Sequence, residues 1–537
     1  MKTSRNIFYT SALGLCLVFG ATSCVNDLDT VPLAKTEAVA ENVFTDDLGN
    51  YTSAVAKIYA GWSITGNKGG DNEVDIAGVD GGSQATFLRG LWNLQELPSD
   101  EAHCNWTDVG VNDLNTHIWS SGNAFIKGFY YRLLYQAQMA NAFLRQTTDE
   151  LLASRGVSDA DKTTIKGYRA EARFNRALAY FYLLDMFRNV PFATESTAIG
   201  SFPEQILAAD LFNYIETELT TIENEMPQSF VGYDSQNYGK ATQAAVWSLL
   251  SRLYLNAEIY IGTPKYTESV IYSKKVIAVG YVLDPVYANL FKADNHKSTE
   301  MIFPIRYEGD QTMTWGGMTF LLCSTVPSAL QKDINAAGAW QGNRARSSLL
   351  KLFENESNSD NDLRKEMIRV DLTKNIEIVT PSEYVDNGIP VVKYNNVNSD
   401  GSLPPSNQAW IDFPLFRLGE IYLNYAEAVL RGAKEGDKAT ALGYINLLRE
   451  RSGADAISEK DLTLPFILDE RGREFFFEAQ RRTDLVRFGL LTSSDYIWPW
   501  KGGVASGRGV DKHYNIFPLP SDEIGSNTNL KQNEGYN

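Results

Sequence analysis

Apolar residues recur at three- and four-residue intervals through most of this chain, the spacing that lines one face of an α-helix. The pattern predicts helices over 46–62, 125–147, 159–189, 206–226, 239–261 and 266–279. After a long irregular interval it resumes over 414–431, 438–451 and 468–490. In the fifth block Ala245, Leu249, Leu253 and Ala257 share one face, the i, i+4 stripe of an amphipathic helix. The blocks come in pairs, and some read as helical repeats. Trp247, Leu250, Ser251 and Tyr254 have the spacing that opens a tetratricopeptide repeat, with Ser in place of the usual Gly. Leu418, Gly419 and Tyr422 repeat it, and small residues (Ala257; Ala439 and Ala441) mark the partner helices, where they let two helices pack closely. The predicted fold is mainly α, a tetratricopeptide-like helical-repeat scaffold.

Two zones break the pattern, 66–123 and 289–413. They are rich in Gly, Asn, Asp, Ser and Trp, too long for simple connections and too aromatic for disorder. Long ordered loops on a rigid scaffold are where binding usually sits, so these loops are expected to form the ligand site.

The first two dozen residues follow a different rule. Lys2 and Arg5 precede an apolar run from Ile7 to Gly20, and Ala21-Thr22-Ser23-Cys24 closes it. A charged start, a short apolar run and a small-residue end are those of a secretory signal peptide. Cys24 at the cleavage point makes the segment a lipobox, in which Cys24 becomes an acylated N-terminus. The expected organisation is a signal peptide over 1–23, a lipidated tether over 24–41 and a single helical-repeat domain with loop insertions over 42–537. No later apolar run approaches the ~18 residues needed to cross a bilayer, so lipid is the expected membrane contact.

A net charge of −17 argues against nucleic acid and against an anionic membrane surface as partners. The 12% aromatic content, with 10 Trp, allows stacking on neutral polar ligands such as sugars. With Cys16 in the leader and Cys24 lipidated, Cys104 and Cys323 remain, and their spacing leaves pairing open. The four histidines, His103, His117, His296 and His513, are scattered without metal-ligand spacing. No nucleophile elbow, phosphate loop or dinucleotide fingerprint occurs, so no cofactor or metal is expected and no residue is assigned a catalytic role. A carboxylate pair among the 66 acidic residues keeps a helical glycoside hydrolase as the alternative class.

Several segments together resemble the SusD/RagB family of outer-membrane lipoproteins. They are EARFNRALAYFYLLDMF at 171–187 with Val190-Pro191, FPLFRLGEIYLNYAEA at 413–428, DERGREF at 469–475 with QRRTDLVRFG at 480–489, and FPLPSDEI at 517–524 with QNEGY at 532–536. By physical reading these are structural: Arg473, Glu474, Arg481, Arg482 and Asp484 offer opposite charges at roughly helical spacing. The resemblance implies a surface-exposed, outer-membrane glycan-binding lipoprotein partnered with a SusC-like TonB-dependent transporter, capturing oligosaccharide without cleaving it.

Within the family the chain looks most like the starch-binding type, through ELPSDE at 96–101, Trp106 and WGGMTFLLC at 315–323. That likeness implies a glycan arc built from Trp315, Trp340, Asp80, Arg89 and Trp106, with starch or maltooligosaccharides as ligand and another glycan as the alternative. A sugar ring offers apolar faces to an indole and hydroxyls to fixed polar groups. The neighbouring Gly316, Gly317, Gly338 and Gly342 are expected to expose the tryptophans. A loop-core role for Trp315 and Trp340, or a plain Asp80–Arg89 salt bridge, is the alternative reading of the same residues.

Overall fold

The computed structural model describes residues 43–66, 74–354, 361–380 and 387–536, and those from Asp46 onward belong to one compact unit. The expected leader, the tether and Cys24 lie outside the described residues. The scaffold is helical, as the periodicity predicts. Helix α1 (Leu48–Ser63) is capped by Asp47, whose carboxylate accepts from Gly49 N at 2.8 Å. After α2 (Phe87–Glu96) and β1 (Ala102–Cys104) come α3 (Val111–Thr116), α4 (Ala124–Gln146), α5 (Asp149–Ser154) and α6 (Asp159–Phe187). From Ala170 to Phe187 every position of α6 except Arg173 is buried, so this helix is the central pillar of the core. α4 packs along it, and so does α7 (Ala208–Ile222), which follows a short ladder of β2 (Val190–Pro191) and β3 (Gln205–Ile206).

The repeat-like region comprises α8 (Gln243–Leu255), α9 (Ala257–Ile261) and α10 (Tyr266–Ile277). Ser251, at the position where the repeat motif carries Gly, lies 2.9 Å from the Ser273 hydroxyl, and its carbonyl accepts from Ser269 at 2.9 Å. Three small hydroxyl residues thus bring α8 and α10 into close contact, the role the motif assigns to small side chains.

Further along the chain lie β4 (Met301–Ile305), α11 (Met318–Thr325), β5 (Asn343–Ala345), α12 (Ser347–Glu354) and β6 (Phe413–Arg417). They are followed by α13 (Leu418–Leu430), α14 (Lys438–Arg451), α15 (Leu464–Phe475), α16 (Arg481–Arg487) and α17 (Ser521–Ser526). In the second repeat-like site, a Cβ on Gly419 would lie 2.5 Å from Arg417 and 3.0 Å from Glu474, while Tyr422 stacks on Tyr444 of α14 at 4.3 Å.

Three predicted boundaries need correction, each for a tertiary reason. Residues 414–417 are not helical but extended, because β6 pairs antiparallel with β4 about a hundred residues earlier. The block 468–490 breaks into α15 and α16 at Phe477 and Ala479, both with left-handed φ (64° and 62°). Their amides donate to the buried carboxylates of Glu101 and Glu96 instead of to a helix ladder. The zone 66–123 also contains α2, in which Arg89, Asn93 and Glu96 share one helical face opposite Phe87, Leu88, Leu91 and Leu94, and every position is buried.

The charged family segment is more deeply buried than helical pairing implies. Glu474 accepts from Arg417 and Arg451 at 2.6 Å each and from Arg364 at 2.9 Å. Glu470 accepts from Arg364, Arg449 and Arg473. Arg481 forks onto Asp100 at 2.7 and 2.8 Å, and Asp484 holds Arg471 and Arg487. Most of these partners come from other elements, so the network ties helices to one another. Removing Arg481 would take away the guanidinium that pairs the buried Asp100 carboxylate, which costs about 3–5 kcal/mol.

Candidate functional site

The antiparallel ladder β1–β5 places Ala102 opposite Ala345 and Cys104 opposite Asn343. It joins two stretches of chain that are remote in sequence, and the Asn105 amide extends it by donating to the Gly342 carbonyl at 2.8 Å. Trp106 therefore leaves β1 beside Trp340, which precedes β5. The buried helix α11 completes the frame. Trp315 lies just before it, and the Trp340 amide donates to the carbonyl of Cys323 within it at 2.8 Å. Arg89, in the first turn of α2, is tied to the same loop by its amide, which donates to Gly316 O at 2.9 Å.

Four of the five residues expected from sequence thus line one concavity of about 560 Å³: Arg89, Trp106, Trp315 and Trp340, with Thr107, Asp108 and Ala339. All three indoles are half-buried. Trp315 and Trp340 have ring centroids 5.8 Å apart at 55°, and Trp340 and Trp106 are 6.4 Å apart at 52°. Each plane is tilted by about half a right angle from the next, so the wall curves. Trp106 and Trp340 pack against the core, whereas Trp315 does not belong to it.

Asp80 is not among the lining residues. It is exposed, and its carboxylate accepts from the amide and hydroxyl of Ser83, both at 2.6 Å. Arg89 pairs with Asp108, Nη2 to Oδ2 at 3.6 Å. The acid opposite the arginine is therefore Asp108, which the sequence reading missed. Its position two residues beyond Trp106 was the available signal.

The glycines play a different part from the one expected. Gly316 and Gly317 are buried. A Cβ on Gly316 would lie 2.0 Å from the Thr86 hydroxyl, on Gly338 2.5 Å from Trp340 Nε1, and on Gly342 2.0 Å from Trp106 Cε2. Gly338 and Gly342 provide close backbone seats for Trp340 and Trp106, and Gly316 packs against Thr86, instead of simply exposing the indoles.

The Arg89 guanidinium is enclosed by rings. Its carbon lies 4.8 Å from the Phe320 centroid and 5.4 Å from those of Trp106 and Phe125. Burial pulls its pKa below the ordinary value, and the Asp108 and Asp80 carboxylates oppose the shift. Its Nε is buried and meets no acceptor among the described residues. Cys104 and Cys323 are both buried free thiols, which answers the question of pairing. Among the described residues no group of His, Cys, Asp and Glu is arranged to hold a metal, and no helix is long and apolar enough to cross a membrane.

A helical-repeat scaffold bearing a loop-built aromatic concavity is a binding architecture, and the comparisons give it a family. Residues 339–536 match the SusD family model, and 83–255 match a model described as "Starch-binding associating with outer membrane". The chain is 34% identical to the starch-binding protein SusD of Bacteroides thetaiotaomicron, with 98% of each chain aligned. It is 24% identical to a SusD-like protein of Bacteroides ovatus over 76% of this chain and 70% of that one. Among solved structures it resembles a SusD superfamily protein from B. thetaiotaomicron, with a TM-score of 0.69 and 19% identity over 91% of this chain and 100% of that one. It also resembles surface glycan-binding protein A from the same species, solved in complex with laminarihexaose. There the TM-score is 0.65 and the identity 22% over 90% and 99% of the two chains. The chain belongs to the SusD family.

Proposed function

We propose that this protein is a surface glycan-binding lipoprotein that captures starch or maltooligosaccharides at the outer membrane and passes them, uncleaved, to a SusC-like TonB-dependent transporter. Lipid on Cys24 anchors it. The observation that carries the reading is the curved wall of Trp315, Trp340 and Trp106 closed by Arg89 and Asp108. A helical α-glucan presents successive sugar faces along a curve, and planes tilted by 55° and 52° follow such a curve better than a flat platform would. Arg89 and Asp108 supply a donor and an acceptor for vicinal hydroxyls, with Asp80 as a more distant contributor at the rim. The relatives named for starch binding and for laminarihexaose support a glycan as the ligand.

Binding without hydrolysis fits the same lining. Glycoside hydrolysis needs two carboxyl groups flanking the scissile bond, and among the described residues Asp108 is the only carboxylate that lines the concavity. A tethered capture protein also gains from a neighbouring pore, because the lipid keeps its local concentration high.

Calorimetric titration of the chain lacking residues 1–24 tests the reading, with maltoheptaose and laminarihexaose as ligands. Maltoheptaose should bind, and Trp315→Ala with Trp340→Ala should abolish it. Preference for laminarihexaose through the same tryptophans would keep the site and change the glycan. Release of reducing ends on long incubation would overturn the non-catalytic reading. Absence of any TonB-dependent transporter from material purified from solubilised membranes would remove the proposed partner.

A further inference from the structure

The charge in the concavity is unevenly distributed. Arg89 is buried to 7% exposure within three aromatic rings, and its Nε has no acceptor among the described residues. Asp108 stands opposite on an exposed turn, with 53% of its side chain accessible and its carboxylate 3.6 Å from the guanidinium. Among the described residues no other charged side chain lines the space, and the Asp80 carboxylate is engaged by Ser83. A buried cation alone at the end of a sugar site would attract carboxylate or sulfate groups, since charged acceptors make the stronger hydrogen bonds to a guanidinium. With Asp108 in place the pair is neutral overall, and an incoming anion meets a carboxylate 3.6 Å from its target.

We propose that Asp108 is the specificity-determining residue of this concavity, reserving Arg89 for neutral sugar hydroxyls and excluding anionic glycans. The inference rests on the glycan-binding reading of the same site and adds the charge class of the ligand. Discrimination here comes from a repulsive element aimed at the wrong ligand as well as from attraction to the right one. Asp108 is suited to this because it is exposed and contributes little to the core. Changing it alters the field at Arg89 without disturbing the rings that hold the arginine.

The test uses two probes of equal length, maltoheptaose and maltoheptaose oxidised at C6 to the uronate. Titrations compare the wild-type chain, Asp108→Asn and Asp108→Glu. The wild type should prefer the neutral probe by about tenfold or more, the scale of one well-placed repulsive contact. Asp108→Asn should lose less than tenfold in maltoheptaose affinity, because an acceptor oxygen remains, while binding of the oxidised probe rises until the preference disappears or reverses. That gained binding should weaken with added salt, whereas maltoheptaose binding should not. Asp108→Glu, which keeps the charge, should keep the preference. A neutral-to-anionic ratio that is the same in wild type and Asp108→Asn overturns the assignment, provided maltoheptaose still binds through Trp315 and Trp340. If the wild type binds neither probe, the starch reading itself fails and the assignment falls with it. The two failures are therefore distinguishable.

Discussion

Gly342 leaves no room for a side chain beside Trp106: a Cβ there would lie 2.0 Å from the indole Cε2 and 2.3 Å from Nε1. The same glycine accepts the Asn105 amide at 2.8 Å, so one residue fixes both the backbone that delivers Trp106 and the seat of its ring. Gly342→Ala must displace the indole or the strand end. The expected outcome is a ~10-fold or greater loss of oligosaccharide affinity, the cost of about one misplaced stacking wall. Circular dichroism should be unchanged, because the helical scaffold does not depend on this contact. Wild-type affinity in a folded Gly342→Ala chain would remove Trp106 from the site.

Trp315 and Trp340 share the wall but differ in support. Trp340 packs on the core and donates its amide to Cys323 O, while Trp315 stands outside the core cluster. Each truncation removes one stacking face, worth ~1–3 kcal/mol by analogy with stacked bases, or ~10-fold in affinity at 1.4 kcal/mol. Trp315→Ala should therefore lose affinity with its melting temperature essentially unchanged. Trp340→Ala should lose both affinity and thermal stability. Titration paired with thermal unfolding separates the two, and a large stability loss in Trp315→Ala would mark it as structural.

What could be read in the sequence follows from where each structural cause lies. The amphipathic helices were legible where their burial is one-sided and local, as in α7, which buries Leu211, Phe212, Ile215, Leu219 and Ile222 along one face. α2 was less legible although its ten residues carry the helical period, because it is short and set among Gly- and Asp-rich loops; its polar residues Gln95 and Glu96 face partners supplied by distant elements. The interruption between α15 and α16 was invisible because Glu96 and Glu101 impose it from about 380 residues away. At the site, the aromatic residues and Arg89 could be placed by resemblance. Asp108 could not be singled out from other loop acids, and its role is set by the 3.6 Å approach to Arg89. The flanking glycines were noticed but misread: their lack of a side chain serves close packing against residues remote in sequence, such as Thr86 and Trp106.

The two remaining cysteines make a redox prediction. Burial pushes the Cys104 thiol up to about 12 and the Cys323 thiol up to about 11. The thiolate is the reactive form, so neither should react with a thiol reagent at pH 8 while the chain is folded. After denaturation without reductant, the chain lacking residues 1–24 should release two equivalents, matching the two free cysteines. Zero equivalents would mean that they pair.

Stability should fall as pH rises through neutrality, because of a buried carboxyl pair. Burial raises Glu96 from 4.5 to about 7, and burial together with the nearby Glu96 charge raises Glu101 well above its ordinary value. Between 4.5 and about 7 the native state then binds more protons than the unfolded chain. The contribution is full below the unfolded value and is lost as pH climbs through the folded one. For Glu96 alone the swing is on the order of 3 kcal/mol at 1.36 kcal/mol per pH unit. Glu470 acts in the opposite sense. Burial raises its pKa, but Arg364, Arg473 and Arg449 outweigh that and bring it to about 2, so its stabilisation is present above 4.5 and is lost toward pH 2. The carboxyl pair favours low pH, but buried His117, held down to about 3 by its burial, gains as pH rises to 6.5 and opposes the pair there, so the decline in melting temperature should be seen from pH 6.5 to pH 8. Glu96→Gln keeps an oxygen for the Ala479 amide, which donates to Glu96 at 2.6 Å, and removes one ionisation. It should flatten the decline and raise the melting temperature at pH 8. An unchanged slope in that variant would show that the pair does not carry a proton in the native state.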